Sequence, residues 1–586
     1  MANKQNFTVC CCFNRSYKLR ASEAPKDVIN LFNQYSVNGT MTVDNFQDFL
    51  FHYEGEKDTT KERAQKIMDE VLKQQHHHVK IFHRKEEFNL EAFFRFLFSD
   101  SNPPLLPQVH HDMTAPLSHY FIYTGHNSYL TGNQISSKCS DVPIIQALQK
   151  GVRVIELDLW PNSSKDYIDV VHGWTLTTRI DLIKCLRSIK EYAFVASPYP
   201  VVITLEDHLT PDLQSKVAKM ITETYGKMLF NPAKEGSAES RSPESLKYRI
   251  LISTKPPKKR QEPEDTKEME MGSHHQKDEP WGEEVSDLEK SHKPKKDREE
   301  NEDSDDGGES ALQLIAPPKY EALIAIHGAK SKGEVHEVLR VVPDKTCRIS
   351  WNELKFKKAT ETHKSHVVRF TQKNFLRIYP KGSRITSSNY NPLMGWIHGA
   401  QMVALNMQGY GRSLWMMHGM FRANGGSGYV KKPQFLLENS GPYHHFSHFS
   451  DSLPVAKTLK VNLYMGEGWH LDFKHTHFDL FSPPDFYTKI GIAGVKCDSV
   501  LKQTETINDD WTPVWDQEFE FPLSVPELAL LRIQVHESDP TGKDDFGGQT
   551  CLPVSELRAG IRAVPLYSRK GEKYKSVKLL MKFEFC

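Results

Sequence analysis

The 586-residue sequence predicts a multidomain α/β chain: a helical lobe, a run of βα units broken by a polar linker, and a final all-β sandwich. Three patterns carry that reading. Apolar residues recur at helical spacing in the first part of the chain, short apolar strands then alternate with helical stretches, and two-residue alternation takes over near the end. A chain this long exceeds what one hydrophobic core supports.

Composition narrows the classes. Lys+Arg and Asp+Glu each total 75, so no bulk attraction to nucleic acid is expected. The hydrophobic fraction of 38% and aromatic fraction of 10% suit a folded chain. No stretch has the uninterrupted apolar length of a membrane-spanning helix. The opening MANKQNFTVCCCFNRSYKLR has neither the apolar core of a secretory signal nor the Met-Gly start of a myristoylation site. The nine cysteines form no spaced framework, which fits a reducing, cytosolic setting.

Residues 1–22 are read as an N-terminal tail. There Cys10, Cys11 and Cys12 stand near Arg15, Lys18 and Arg20, and two readings are open: acylation beside a basic anchor, or an unmodified terminus. Residues 23–105 read as paired amphipathic helices, with Val28, Leu31, Phe32 and Tyr35 at helical spacing, then Phe46, Phe49 and Leu50. The loop Ser36-Val37-Asn38-Gly39-Thr40 lacks the alternating carboxylates and final Glu of a calcium loop, so the lobe is EF-hand-like and structural. His76, His77 and His78 fall in a polar run and are read as a solvated loop rather than a metal site.

Over 113–258, strands such as Phe121–Tyr123, Val152–Leu159 and Val201–Leu205 alternate with helical stretches, the mark of parallel βα units in a barrel or an open sheet. The segment 259–316 is almost free of apolar residues up to 312 and ends acidic, in DREENEDSDDGGES. It is read as a disordered linker. The βα pattern returns over 317–435. One barrel interrupted by a linker is the economical arrangement, and two independent domains the alternative. Residues 456–586 alternate in Leu459–Met465, Glu518–Phe521, Leu531–Val535 and Val577–Phe585, separated by turn residues, as a β-sandwich does.

Chemistry concentrates at strand ends. Tyr123-Thr-Gly-His126-Asn127 runs from an apolar strand into a turn, which puts His126 and Asn127 where barrel enzymes place their sites. In Gly151-Val-Arg-Val-Ile-Glu156-Leu-Asp158-Leu-Trp160, Glu156 and Asp158 share a face because a strand repeats every two residues. Two carboxylates in an apolar strand repel each other and are costly to desolvate. A divalent cation removes both costs, and a pair of salt bridges is the alternative. Val170-Val-His172 and Val201–Glu206 supply a second histidine and a third carboxylate. Asn127, Glu156, Asp158 and Glu206 form a hard-oxygen set that suits Ca²⁺ or Mg²⁺ rather than zinc, leaving His126 and His172 to move protons.

GHNSYLTGNQ, GVRVIELDLW, VHGWTLT and VVITLEDHL resemble the X half of eukaryotic phosphoinositide-specific phospholipase C. FLRIYPKGSRITSSNYNPLMGWIHGAQMVALNMQ and FRANGGSGYVKKP resemble its Y half. The short lobe with no lipid-binding domain before it is similar to the plant type. WTPVWDQEFEF and KDDFGGQTCLP resemble a C2 domain.

The resemblance implies a distorted (β/α)₈ TIM-type barrel built from both halves. It also implies a two-step cleavage of phosphatidylinositol 4,5-bisphosphate, and of phosphatidylinositol 4-phosphate, to diacylglycerol and inositol phosphate through a cyclic phosphate, in lipid signalling. Asn127, Glu156, Asp158 and Glu206 would hold catalytic Ca²⁺. His126 would stabilise the pentacoordinate phosphorus, His172 would protonate the leaving group, and Glu206 could take the proton of the 2-hydroxyl. Lys255, Ser350, Arg377 and Tyr379 would contact the headgroup. Ser253 stands where the family often has a second lysine, and SWNE departs from the usual wording after Ser350. Spacing alone would make Arg377 a surface ion pair. Asp485, Glu537, Asp539 and Asp545 fall at ligand-like positions for C2 calcium, though ordinary acidic turns would look alike.

The expected partners are inositol phospholipids and an anionic membrane surface at the cytosolic face of the plasma membrane, with protein partners unknown. The acidic linker would cover the barrel mouth, and Ile135 would enter the bilayer. Two other classes compete: a glycerophosphodiester phosphodiesterase, and a calcium-dependent membrane adaptor with a decayed barrel.

Overall fold

A computed structural model describes residues 23–75, 87–236, 241–255, 318–329, 333–340, 346–438, 453–474, 477–479, 482–539 and 542–586, and the backbone of 3–9 and 13–19. The linker reading of 259–316, the histidines at 76–78 and the cysteines at 10–12 lie outside the described residues. The tail reading of 1–22 is revised in part. Strands β1 (Asn3–Val9) and β2 (Phe13–Leu19) pair antiparallel, so backbone hydrogen bonds join segments whose alternation was not weighed in the sequence.

Helices α1 (Lys26–Tyr35), α2 (Val43–His52), α3 (Lys61–Gln75) and α4 (Leu90–Leu97) form the lobe. Thr42 and Asn45 close a capping box at the start of α2, and Asn89 caps α4. A bridge from Met41 to Phe88 ties the two helix pairs together. The lobe does not stand alone. Tyr464, Met465, Ile561 and Leu580 of the sandwich belong to the same apolar cluster as Phe46, Phe49 and Phe93. Buried Glu54 pairs there with Arg562 and with Arg558 at 3.0 Å.

The two βα runs make one barrel. Its strands are β4 (Thr124–Gly125), β5 (Val154–Pro161), β8 (Val201–Asp207), β9 (Ile250–Thr254), β10 (Ile324–His327), β11 (Arg348–Asn352), β12 (Phe375–Tyr379) and β13 (Met402–Leu405). They follow the ring in chain order, β13 pairs parallel with β4, and a single bridge from Gly328 to Arg348 joins β10 to β11. The weak β10–β11 seam is the distortion of the TIM-type barrel. Strands β3 (Tyr120–Ile122) and β14 (Tyr429–Lys431) pair across one end, while β6 (Ile168–Val170) and β7 (Ile180–Asp181) extend the edge of β5. Nearly continuous burial of β5, β8, β9 and β12 reflects strands covered on both faces.

The sandwich comprises β15 (Lys457–Glu467), β16 (Phe486–Ala493), β17 (Val500–Gln503), β18 (Val514–Leu523), β19 (Leu530–Glu537), β20 (Asp545–Pro553), β21 (Gly560–Tyr567) and β22 (Lys573–Phe585), all antiparallel. It meets the barrel through the helix Arg412–Met420, where Gly419 lies against Cys551 of β20. Arg422 donates to Cys551 O at 2.9 Å and covers the Tyr567 ring at 3.7 Å. A second tie joins His110 and His111 to Glu556 of the sandwich at 2.9 and 2.8 Å. The Lys431 N–H donates to His111 Nδ1, so the hydrogen on Nε2 is given to Glu556, and this trio is a hydrogen-bonded clasp rather than a cation site. Among the described residues, no helix is long and apolar enough to cross a membrane.

A Cβ on Gly419 would lie 2.5 Å from Cys551 Cβ and 2.9 Å from its carbonyl oxygen. Gly419→Ala should therefore cost ~1–3 kcal/mol by overpacking. Limited proteolysis is expected to separate barrel from sandwich faster in the variant than in the wild type.

Candidate active site at the barrel mouth

Strand register places the acidic residues. Glu156 pairs with Thr204 and Asp158 with Glu206 on neighbouring β5 and β8, so the two carboxylates at the top layer sit side by side. Carboxylate oxygens of Glu156, Asp158 and Glu206 lie within 4.8 Å of one another. Glu156 and Asp158 are buried, whereas the Glu206 side chain is 54% exposed and opens the cluster to solvent.

Each acid is held differently. Glu156 Oε2 accepts from the Asn127 backbone N–H at 3.1 Å and from Arg377 Nη2 at 2.5 Å. Burial is the largest influence and would raise its pKa, but Arg377, His126, the Asn127 N–H and Arg348 together outweigh it and hold the carboxyl below its usual range. Asp158 Oδ2 accepts from Tyr129 Oη at 2.6 Å, while Oδ1 is buried with no hydrogen-bond partner. Burial, then the charges of Glu206 and Glu156, push the Asp158 carboxyl well above its usual range. A lone buried carboxylate oxygen facing two more carboxylates is what a hard divalent cation would satisfy. The residues present therefore fit such an ion.

The turn after β4 adds Asn127, whose φ of +42° is unusual for a residue with a side chain. Its Nδ2 donates to Gln134 Oε1 at 2.9 Å. Both imidazoles are fixed through Nδ1. His126 Nδ1 donates to Asn406 Oδ1 at 2.9 Å, and His172 Nδ1 donates to Gln134 O at 2.7 Å. In each ring Nε2 is left for chemistry. Burial pushes His126 down to about 4, and its ring lies parallel to Tyr379 with centroids 6.2 Å apart.

Arg377 is not the surface ion pair that spacing suggested. It is buried in β12, paired with Glu156, and its Cζ lies 5.3 Å from the Tyr379 ring centre. Lys255 stands exposed just past β9, and Ser350 is half-buried in β11. Ser253 is fully buried and donates to Ile326 O at 3.0 Å.

The sequence reading missed several residues. Arg348 of β11 is buried under the site, 3.5 Å from Thr204 Oγ1, and burial and Arg377 push it down to about 10. Gln134 and Asn406, which orient both histidines, lie inside the quoted TGNQ and ALNMQ motifs, yet motif wording does not reveal what a side chain touches. Around the mouth, Trp174 and Leu176 are 94% and 81% exposed, with Ile135, Ile385 and Tyr410 also exposed. Backbone bonds from Leu176 N to Ile135 O and from Gln134 N to Ile385 O stitch three of these loops into one apolar rim.

At one sandwich end, burial with Asp479, Asp545, Asp485 and Asp539 pushes Glu537 up to about 7. Asp485, Glu537, Asp539 and Asp545 thus share one electrostatic neighbourhood, to which Asp479 is an addition. Their oxygens are not drawn together as tightly as the barrel trio, which with the His110–His111–Glu556 clasp makes up the metal-type groups among the described residues.

Family models match residues 113–256 as the X domain of phosphatidylinositol-specific phospholipase C, 324–435 as its Y domain, and 457–568 as a C2 domain. The chain is 58% identical to phosphoinositide phospholipase C 2 of Arabidopsis thaliana over 100% of both chains. It is 31% identical to 1-phosphatidylinositol 4,5-bisphosphate phosphodiesterase zeta-1 of Macaca fascicularis, over 95% of this chain and 88% of that one. The crystal structure of S. officinalis PLC21 superposes with a TM-score of 0.70 at 23% identity, over 96% of this chain and 68% of that one, a likeness of fold.

A carboxyl whose folded pKa lies above its unfolded value, ~4 for Asp, adds stability at low pH and loses it as pH rises through the folded pKa. In cation-free protein, Asp158→Asn should become progressively more stable than the wild type as pH rises from ~4 through the raised Asp158 pKa. Adding Ca²⁺ should reverse the order by stabilising the wild type more than the variant. Denaturant unfolding across pH measures both effects.

Proposed function

The chain belongs to the phosphoinositide-specific phospholipase C family, and from that premise we propose how its own residues perform a calcium-dependent cleavage of phosphatidylinositol 4,5-bisphosphate and phosphatidylinositol 4-phosphate. One observation carries the reading. The Glu156–Asp158–Glu206 trio, with its lone Asp158 oxygen, lies at the same mouth as two imidazoles tethered through Nδ1.

Asn127, Glu156, Asp158 and Glu206 would hold Ca²⁺. When bound, the ion supplies charge that lowers the pKa of the inositol 2-hydroxyl and screens the phosphate. Glu206, open to solvent, accepts the proton of that hydroxyl as its oxygen attacks the 1-phosphate. His126 is neutral in the free site. An anionic phosphate at Nε2 favours its charged form, so His126 takes up a proton from solvent as the phosphate binds and donates it in a hydrogen bond as negative charge grows on phosphorus. His172 gives a proton from Nε2 to the departing diacylglycerol oxygen, then takes one from the water that opens the cyclic phosphate, while Glu206 returns its proton to the departing 2-oxygen. Its Nδ1 bond to Gln134 O keeps the ring aimed through both steps.

Lys255 and Arg377 supply cations for the headgroup phosphates, with Tyr379 against the inositol ring and Ser350 as a hydroxyl partner. The apolar rim would enter the bilayer, and Asp485, Glu537, Asp539 and Asp545 of the sandwich would hold Ca²⁺, whose charge would attract anionic lipid at the cytosolic face of the plasma membrane.

Folded protein mixed with phosphatidylinositol 4,5-bisphosphate vesicles should release soluble inositol phosphates with Ca²⁺ and none with a chelator. Release only from glycerophosphodiesters, or from no lipid, overturns the reading in favour of the other two classes. Lys255→Met should raise KM ~10–100-fold on the bisphosphorylated lipid, since a hydrogen bond to a charged group is worth ~1.5–3 kcal/mol. The effect should be smaller on phosphatidylinositol 4-phosphate, and paired vesicle assays measure the difference.

A further inference from the structure

An aromatic column stands beside the site without a part in the steps above. Trp160 ends the β5 face that carries Glu156 and Asp158, because residues two apart on a strand share a face. Its indole stacks on His208, with centroids 4.0 Å apart and planes 15° from parallel. It also meets Trp174 edge-on, at 5.7 Å and 86°. Trp160 Nε1 is buried and finds no acceptor among the described residues, so the indole serves by its faces and edges.

Both neighbours lead to reacting groups. Trp174 closes the turn that begins with His172, and Gly173 between them presses on the indole. A Cβ at Gly173 would lie 2.2 Å from Trp160 Cζ2, so only glycine lets the turn descend this far. Thr175 Oγ1 donates to His172 O at 2.7 Å and tightens the same turn. On the other side, His208 Nε2 lies 3.9 Å from Glu206 Oε1, and its backbone N–H donates to Leu159 O at 3.1 Å. Trp174 itself is 94% exposed and has a φ of +57°, a conformation costly for a bulky residue. Its packing on Trp160 holds it there.

We propose that Trp160 is a positioning residue: clamped between Trp174 and His208, it sets His172 and Glu206 in register, and the column carries the anchoring of Trp174 in a lipid surface to those two side chains. The inference rests on the phospholipase reading. It adds a mechanical link between membrane contact and catalytic geometry, built from one indole that touches both sides of the site.

The test combines kinetics with hydrogen exchange on full-length protein. Variants are Trp160→Leu, Trp160→Phe, Trp174→Ala and the double Trp160→Leu/Trp174→Ala. Substrates are phosphatidylinositol 4,5-bisphosphate vesicles and a water-soluble short-chain analogue. Trp160→Leu should lower kcat ~10–100-fold on both with little change in KM, as expected for misplaced reacting groups. Trp160→Phe, which keeps a ring face and an edge, should recover most of the rate. Trp174→Ala should slow vesicle hydrolysis more than soluble hydrolysis. At saturating vesicles, the double variant should have the kcat of Trp160→Leu alone.

Vesicles should protect the amides of 172–177 and 206–209 together in the wild type, and Trp160→Leu should abolish the second protection. A change in KM alone, losses that multiply in the double variant, or protection of 206–209 that survives Trp160→Leu overturns the column. The exchange arm needs no turnover. An inactive wild type would therefore sink the phospholipase reading, while the exchange pattern still decides the column.

Discussion

Three carboxylates crowded into the mouth of a low-dielectric barrel set the terms for everything around them. Glu156 and Asp158 face inward from one strand and Glu206 from the next, so their mutual repulsion and desolvation must be offset. The protein offsets them unequally. Arg377 neutralises Glu156, Tyr129 donates to one Asp158 oxygen, and the second is left bare. The bare oxygen is a local cost in stability, and such costs persist where a ligand relieves them.

That compensation explains why the two βα runs act as one body. Glu156 comes from the first run, and its counter-ion Arg377 from the second. The tether on His126 crosses the same divide, from β4 to Asn406 beyond β13. The ring closes where β13 pairs with β4, so backbone and side-chain bonds bind the halves at the site itself. The peripheral modules are joined just as directly. The helical lobe shares an apolar cluster with the sandwich, and the sandwich grips the barrel through Gly419, Arg422 and the histidine clasp. The sandwich therefore has a continuous packed route to the barrel.

Much of the architecture was legible in the sequence because periodicity is local. Helical spacing around Phe46 and Phe49, apolar runs such as Val201–Leu205 and alternation in Leu459–Met465 each report which faces are buried. The shared face of Glu156 and Asp158 followed from strand geometry alone. The N-terminal hairpin was overlooked because a short polar strand pair carries little hydrophobic signal. The partner of Arg377 was not legible, because nothing in its neighbours along the chain reveals that Glu156 lies opposite.

By itself, the sequence determined the helical, βα and all-β segments, the shared face of Glu156 and Asp158, and the strand ends that bear His126 and His172. These follow from backbone repeats and side-chain chemistry within a few residues. Tertiary structure alone decided which charges meet: Arg377 with Glu156, Arg348 beneath the mouth, and Trp160 between Trp174 and His208. Those pairings depend on strand order, register and shear around a closed ring. Such distances arise between residues far apart in the chain, and no local pattern encodes them.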